Sequence, residues 1–240
     1  MTMRTVINRV LVFGTMFLPL VAVPAFGNTI NVFSTGVGAG AAPGFQDPNW
    51  TVGPVGQSNP QAYVTDPTLF PFPNWFADTA SSAWISPEPN YANNPSDQLN
   101  TTYAFQTTFT LPSEFPDAWL SFLVATDNAL VDVLLNGKEA VAPTTSVILP
   151  GDTLSTAVIE AGFTSGFGGP FTIDSGFQSG VNTLTFLVRN SATNAANTGN
   201  PVGLNVELSG AYAPEPAAML LIGTGLTGLA VLGRRRRSKR

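Results

Sequence analysis

The sequence predicts an all-β fold, a two-sheet antiparallel β-sandwich spanning residues 28–213. Three observations carry that expectation. This stretch is rich in Thr, Asn, Ser, Gly, Pro and Phe and poor in the charged residues that build helix surfaces. Apolar residues recur at every second position in several short runs, the period of a strand with one buried face. Turn residues separate the runs, above all Asn136-Gly137, the strongest short hairpin signal.

Taken in order, the chain opens on a positive segment with Arg4 and Arg9, followed by an apolar stretch over 10–23 and by Ala25-Phe26-Gly27. Small residues at the −3 and −1 positions after such a stretch are the layout of a secretory signal peptide over 1–27, cleaved between Gly27 and Asn28. An uncleaved N-terminal anchor is the alternative. Strands are then expected at 103–111, 119–125, 130–135, 171–174, 182–189 and 202–212, with weaker candidates at 29–33, 62–64 and 83–86. Asp127-Asn128 and Gly180-Val181-Asn182 supply further turns. Short strands with turn-rich joins fit a jelly roll, or alternatively an immunoglobulin-like order. Residues 66–100 carry Pro67, Pro71, Pro73, Pro87, Pro89 and Pro95 and predict a long ordered loop. Residues 158–161 suggest a helical turn, and 191–200 a polar surface loop. Even spacing places Phe105 and Phe109, Leu120 and Phe122, and Leu184, Phe186 and Val188 on buried strand faces. Trp119, inside a strand, is also expected in the core.

The last stretch, 214–240, has three parts in a fixed order. Pro214-Glu215-Pro216 comes first. Residues 217–233 carry no charge, and Arg234, Arg235, Arg236, Arg237, Ser238, Lys239 and Arg240 close the chain. As a helix, 217–233 would be about 26 Å long at about 1.5 Å per residue, near the lower limit for a hydrocarbon core of about 30 Å. The cations would hold their end in the cytoplasm and leave the body on the far side. A plain tail anchor and a buried core helix are the alternatives, although a core helix does not normally abut a block of like charges. The three parts together resemble the PEP-CTERM sorting signal. That resemblance implies recognition of Pro214, Glu215 and Pro216 by an exosortase, an integral-membrane protease or transpeptidase. It also implies membrane anchoring through the C-terminal helix before that helix and the basic tail are removed. The family belongs to Gram-negative bacteria that make exopolysaccharide, so the resemblance implies a cell-surface or extracellular-matrix location and an association with exopolysaccharide and biofilm.

Charge sharpens the picture of the body. Eight of the ten basic residues lie in the leader and the tail, which leaves Lys138 and Arg189 against fourteen acidic residues, a formal charge of −12. Such a surface repels phosphate backbones, which excludes nucleic acid as a partner. The chain holds no Cys and no His. Disulfides, thiolate metal sites and the Ser-His and Cys-His arrangements are therefore excluded. Asp127 and Asp132 are the closest carboxylate pair in a strand–turn context, but five positions apart in one strand they would face opposite ways unless the turn at Asp127-Asn128 reverses the chain. The expectation is a non-enzymatic protein without a cofactor.

A second resemblance runs through Trp84-Ile85, Tyr103, 107–111, Asp127-Asn128, 133–137 and 180–184 with Val188 and Asn190. This order is similar to galactose-binding-like β-sandwich domains, and it implies a fold but no binding residue. A glycan site is a separate expectation. Phe70, Phe72, Trp75, Phe76, Trp84 and Tyr91 cluster on the proline-rich loop, where rings stack on sugars in binding modules; Trp75, Phe72 and Tyr91 are the contact candidates. The competing expectation is that these rings cap the core, because large rings are costly to expose. Asp127, Asn128 and Asp132 are candidate ligands for a structural calcium, a hard cation that takes oxygen ligands; Asp97 and Asp174 could add oxygens, and no EF-hand spacing is present.

Overall fold

The structure, a computed structural model, describes residues 27–38, 40–89, 100–148, 154–159, 162–191, 200–213 and 225–226. Its strands are β1 (Asn28–Thr29), β2 (Gln46–Pro54), β3 (Gln61–Val64), β4 (Ile85–Ser86), β5 (Thr101–Leu111), β6 (Trp119–Asp127), β7 (Ala129–Leu135), β8 (Lys138–Val141), β9 (Thr145–Ile148), β10 (Leu154–Ala157), β11 (Gly168–Ile173), β12 (Gly180–Asn190) and β13 (Gly203–Tyr212). The fold is all-β, as composition and periodicity predict. Every pairing is antiparallel, and β9 with β10 forms a separate hairpin.

The other strands hydrogen-bond along one continuous path, β11-β6-β13-β4-β3-β2-β5-β12-β7-β8, with β1 beside β13. The sequence had suggested two separate sheets. The short strands β3 and β4 instead join β2 to β13, and the end strands β8 and β11 approach each other, so the sheet is nearly closed. The path folds over a shared interior. Phe186 of β12 meets Phe122 of β6 edge-on at 5.1 Å and Trp50 of β2 at 5.9 Å.

Period-two alternation locates that interior correctly. Phe105, Phe109, Leu120, Phe122, Leu184, Phe186 and Val188 are all buried. In the register, Phe186 lies opposite Phe105 on one side and Val133 on the other. Its ring therefore sits amid same-face neighbours, which is what stabilises a sheet. Asn136 and Gly137 both have positive φ (54° and 75°), the mirror-image turn that joins two strands with the correct twist. That turn links β7 to β8.

Three expectations need correction, and the set of strands needs enlarging. Trp119 is 39 % exposed, because in β6 the alternate residues Leu120, Phe122 and Val124 face inward and an odd position must face out. Residues 158–159 form no helical turn; Ile159 bridges Leu130, and Val158 donates to the Leu130 carbonyl. The candidate strand at 29–33 stops at Thr29. Strands β2, β8, β9 and β10 are additional to the expected set; β2 holds Pro48, Gly53 and Pro54, residues that weaken a strand signal, its pairing with β3 shifts register between Gln46 and Thr51, and Trp50 and Val52 nevertheless reach the core.

The expected signal peptide lies outside the described residues, and its cleavage point, Gly27–Asn28, directly precedes β1. The expected membrane helix over 217–233 is described only at Gly225 and Leu226, which are helical. Among the described residues no helix is long and apolar enough to cross a membrane.

Candidate functional site

The proline-rich segment after β3 folds through successive turns. Phe72 N donates to Leu69 O, and Asn74 N to Pro71 O. These turns carry Trp75 inward instead of presenting it: Trp75 is 1 % exposed and Trp84 is fully buried. The two indoles lie 4.4 Å apart at 33°, and Phe76 meets both Trp84 and Phe167 edge-on at 5.2 Å. Both indole N–H groups are satisfied, Trp75 Nε1 by Asp127 Oδ2 at 2.8 Å and Trp84 Nε1 by Phe76 O at 3.0 Å. A buried indole needs such a partner. Gly203 completes the pocket, because a Cβ there would collide with the Trp75 ring.

This cluster corrects the sugar-platform expectation at Trp75, whose faces are covered. Phe72 is half-buried, its ring edge toward Trp75 at 6.1 Å. Tyr91 lies outside the described residues.

The Asp127-Asn128 turn is committed to protein donors. Asp127 Oδ1 accepts from Asn128 Nδ2 at 2.8 Å while Oδ2 holds Trp75, and Asn128 Oδ1 accepts from Ser191 N at 2.8 Å. Asp132, in the middle of β7, accepts from Val133 N at 2.7 Å. The structure therefore separates the roles of the three calcium candidates. Asp97 lies outside the described residues, and Asp174 is exposed just after β11. Among the described residues no group of three or more Asp or Glu side chains is placed to hold a metal.

Two other carboxylates are shifted by burial. Desolvation pushes the Asp47 carboxyl above its ordinary value, although the N–H groups of Asn49, Gly36 and Trp50 pull it back. Desolvation likewise raises Asp78, opposed by the N–H of Trp84. Asp47, inside β2, accepts from Gly36 N (2.7 Å) on the segment before that strand and from Asn49 N (2.8 Å) within it. Asp78 holds the start of the Trp84 segment at 3.0 Å. Both are structural anchors.

A concavity lies elsewhere, on the outer face of β5, β12 and β7, with a volume of about 690 Å³. Its floor consists of the positions that alternate with the core residues: Ala104 and Gln106 on β5, Thr183, Thr185 and Leu187 on β12, and Leu134 on β7. The register lines up Gln106, Thr185 and Leu134 in one row across the three strands. The walls are the 55–59 loop after β2, the Asn136-Gly137 turn, and Gln178 before β12. A chain of amides and hydroxyls runs through it, Asn59 Nδ2 to Gln106 Oε1 at 2.7 Å and Gln106 Nε2 to Thr185 Oγ1 at 3.0 Å. Asn136 is locked by accepting from Thr183 N and donating to Gly176 O, both at 3.0 Å. Among the described residues no ionisable side chain lines the groove.

Sequence reasoning missed this site because no single residue in it is unusual. The available signal was the outward parity of β5 and β12, which reads Thr102, Ala104, Gln106, Thr108 and Thr110 on the first and Val181, Thr183, Thr185 and Leu187 on the second, uncharged until Arg189.

The candidate sorting residues Pro214, Glu215, Pro216, Arg234, Arg235, Arg236, Arg237, Lys239 and Arg240 lie outside the described residues. For them the comparison with known families is informative: residues 213–237 match the PEP-CTERM protein-sorting motif. The motif indicates an exosortase-targeted extracellular protein, exported and anchored in the membrane before cleavage. No curated protein and no solved structure matches this chain.

Proposed function

We propose that this is a non-enzymatic protein of the cell surface or extracellular matrix of a Gram-negative bacterium, associated with exopolysaccharide and biofilm. The observation that carries the proposal is the sorting motif at 213–237. A chain addressed in this way is delivered outside the cell and released from its membrane helix, where polysaccharide is the abundant neighbour. The −12 body without Cys or His supports a structural or binding role over catalysis. The Asp127 carboxylate, one of the Asp127–Asp132 pair considered for catalysis, is tied to the Trp75 indole, and no cofactor is invoked.

Intact-mass spectrometry of the protein from its native host tests the address. The expected mature form starts near Asn28 and ends at or near 214–216. A mature form that keeps Arg234 to Arg240 would reduce the tail to a plain anchor. A carbohydrate-binding module with a defined glycan site is the second reading, favoured by the uncharged groove over β5, β12 and β7. Turnover assays on the host's own polysaccharide test the remaining option, a carboxylate-based glycan-active enzyme; release of reducing ends would overturn the non-enzymatic assignment.

A further inference from the structure

We infer that the groove over β5, β12 and β7 is the binding site for a neutral, hydroxyl-rich glycan chain. This rests on the reading of an exopolysaccharide-associated protein and gives that reading a location and a ligand class.

The chemistry of the lining selects the ligand. Sugar hydroxyls both donate and accept, and amides and hydroxyls do the same. Gln57, Asn59, Gln106, Asn136, Gln178, Thr183 and Thr185 supply such groups on the floor and on three walls. Some are already fixed: the Asn59–Gln106–Thr185 chain and the locked Asn136 hold their atoms in place before any ligand arrives, which reduces the entropy lost on binding. Others are open, since the side chains of Gln57 and Thr183 make no hydrogen bond among the described residues. Ala104, Leu134 and Leu187 offer apolar floor for the C–H faces of a sugar ring.

Charge excludes the other occupants. Among the described residues no ionisable side chain lines the groove, and with the body at −12 an anionic polymer meets net repulsion. A peptide that adds a strand needs a free sheet edge. Here β5, β12 and β7 are all internal to the path, so their backbone groups are already paired. The volume of about 690 Å³ falls within the range of small-ligand sites, about 300–1,000 Å³. Among the described residues the lining holds no aromatic ring, which predicts modest affinity and little dependence on the sugar's stereochemistry at any one carbon.

Affinity electrophoresis of the purified full chain tests the site, in gels holding a neutral glucan, galactan or mannan or a uronate-bearing polymer. At least one neutral polymer should retard the protein, and the uronate polymer should not. Gln57→Ala and Thr183→Val should each weaken retardation roughly tenfold, the loss of one or two good hydrogen bonds, with an unchanged melting temperature. Thr183→Arg should abolish it by filling the groove; if that variant fails to fold, the two conservative variants decide. Wild-type protein that ignores every neutral polymer, or binding that survives Gln57→Ala and Thr183→Val, would overturn the assignment. A sedimentation coefficient that falls in those variants without any glycan present would make the occupant a second copy and overturn it too. The wider reading fails separately: C-terminal processing in the host with no glycan binding would sink the groove alone, whereas an unprocessed tail would sink the address alone.

Discussion

The cluster around Trp75 and the groove over β5, β12 and β7 divide the side chains expected of a sugar site between them. The cluster has the large rings and is closed to solvent. The groove has the amides and hydroxyls and is open. A count of exposed-looking aromatics on a loop pointed to the first, but ring burial follows from what lies opposite the ring. Trp75 packs where Gly203 leaves room and where Asp127 offers an acceptor, and both partners are far away in sequence. The groove arises where Gln106, Thr185 and Leu134, uncharged outward residues of three neighbouring strands, fall in register. A loop rich in Phe and Trp is thus as easily a second core as a platform.

The largest effects are expected in the two cores, the main one beneath the groove and the one around Trp75. Phe186 sits on the inner face of β12, directly beneath the groove floor, and Phe186→Ala should cost about 3–5 kcal/mol. In a domain of this size each kcal/mol lowers the melting temperature by about 2–4 °C. Trp75→Ala belongs to the same class. If Trp75→Ala kept its melting temperature and lost polysaccharide binding, the assignments of the two regions would have to be exchanged.

A smaller change sharpens the contrast. Trp75→Phe keeps most of the ring but removes the N–H that Asp127 Oδ2 accepts. Loss of the partner of a buried acceptor costs about 1–3 kcal/mol. Calorimetry should therefore show a loss intermediate between wild type and Trp75→Ala, with glycan retardation unchanged. Full stability in Trp75→Phe would mean that the indole N–H adds nothing to the cluster.

A third prediction concerns pH. Burial raises the Asp47 and Asp78 carboxyls above their ordinary value, so the folded state holds these protons more tightly than the unfolded chain. Between the ordinary and the raised value, stability at these sites falls as pH rises. Wild type should gain stability relative to Asp47→Asn as pH is lowered through the window just above the ordinary carboxylate range, read by urea melts at a series of pH values. Asp66 acts in the opposite sense, its carboxyl lowered by the Thr68 hydroxyl and N–H, but it is exposed and screened. A gain for wild type on raising pH through that window would show that the Asp47 hydrogen bonds outweigh its desolvation.

How much of this was legible in the sequence depends on the range of each interaction. The Asn136-Gly137 turn is local chemistry and was read directly. The faces of β5, β6 and β12 follow from parity, which fixed Phe186 and should equally have placed Trp119 outside. Strand β2 was hidden because proline and glycine carry a loop signal that the bulged pairing with β3 overrides. The near-closure of the sheet depends on two-residue β4 and four-residue β3, too short to show a period. Likewise, the groove needs the register of three strands at once, and the sorting tail needs no tertiary structure at all.

The smallest expected effect on stability is the most decisive for the comparison. Gln57 is exposed on the 55–59 wall, and its side chain packs into no core. A surface substitution of this kind usually lies within about 0.5 kcal/mol of neutral, so Gln57→Ala should melt with wild type, within about 2 °C. The same variant should lose a donor and an acceptor at the mouth of the groove. Stability and binding then separate cleanly: Trp75→Phe moves the first alone, and Gln57→Ala the second alone. If Gln57→Ala instead lowers the melting temperature by several degrees, the 55–59 loop is a structural brace. Gly53 already approaches it so closely that a Cβ would meet Ser58 O and Asn59 Oδ1, so that outcome would assign the wall to the packing of β2, and the groove would lose one of its three sides.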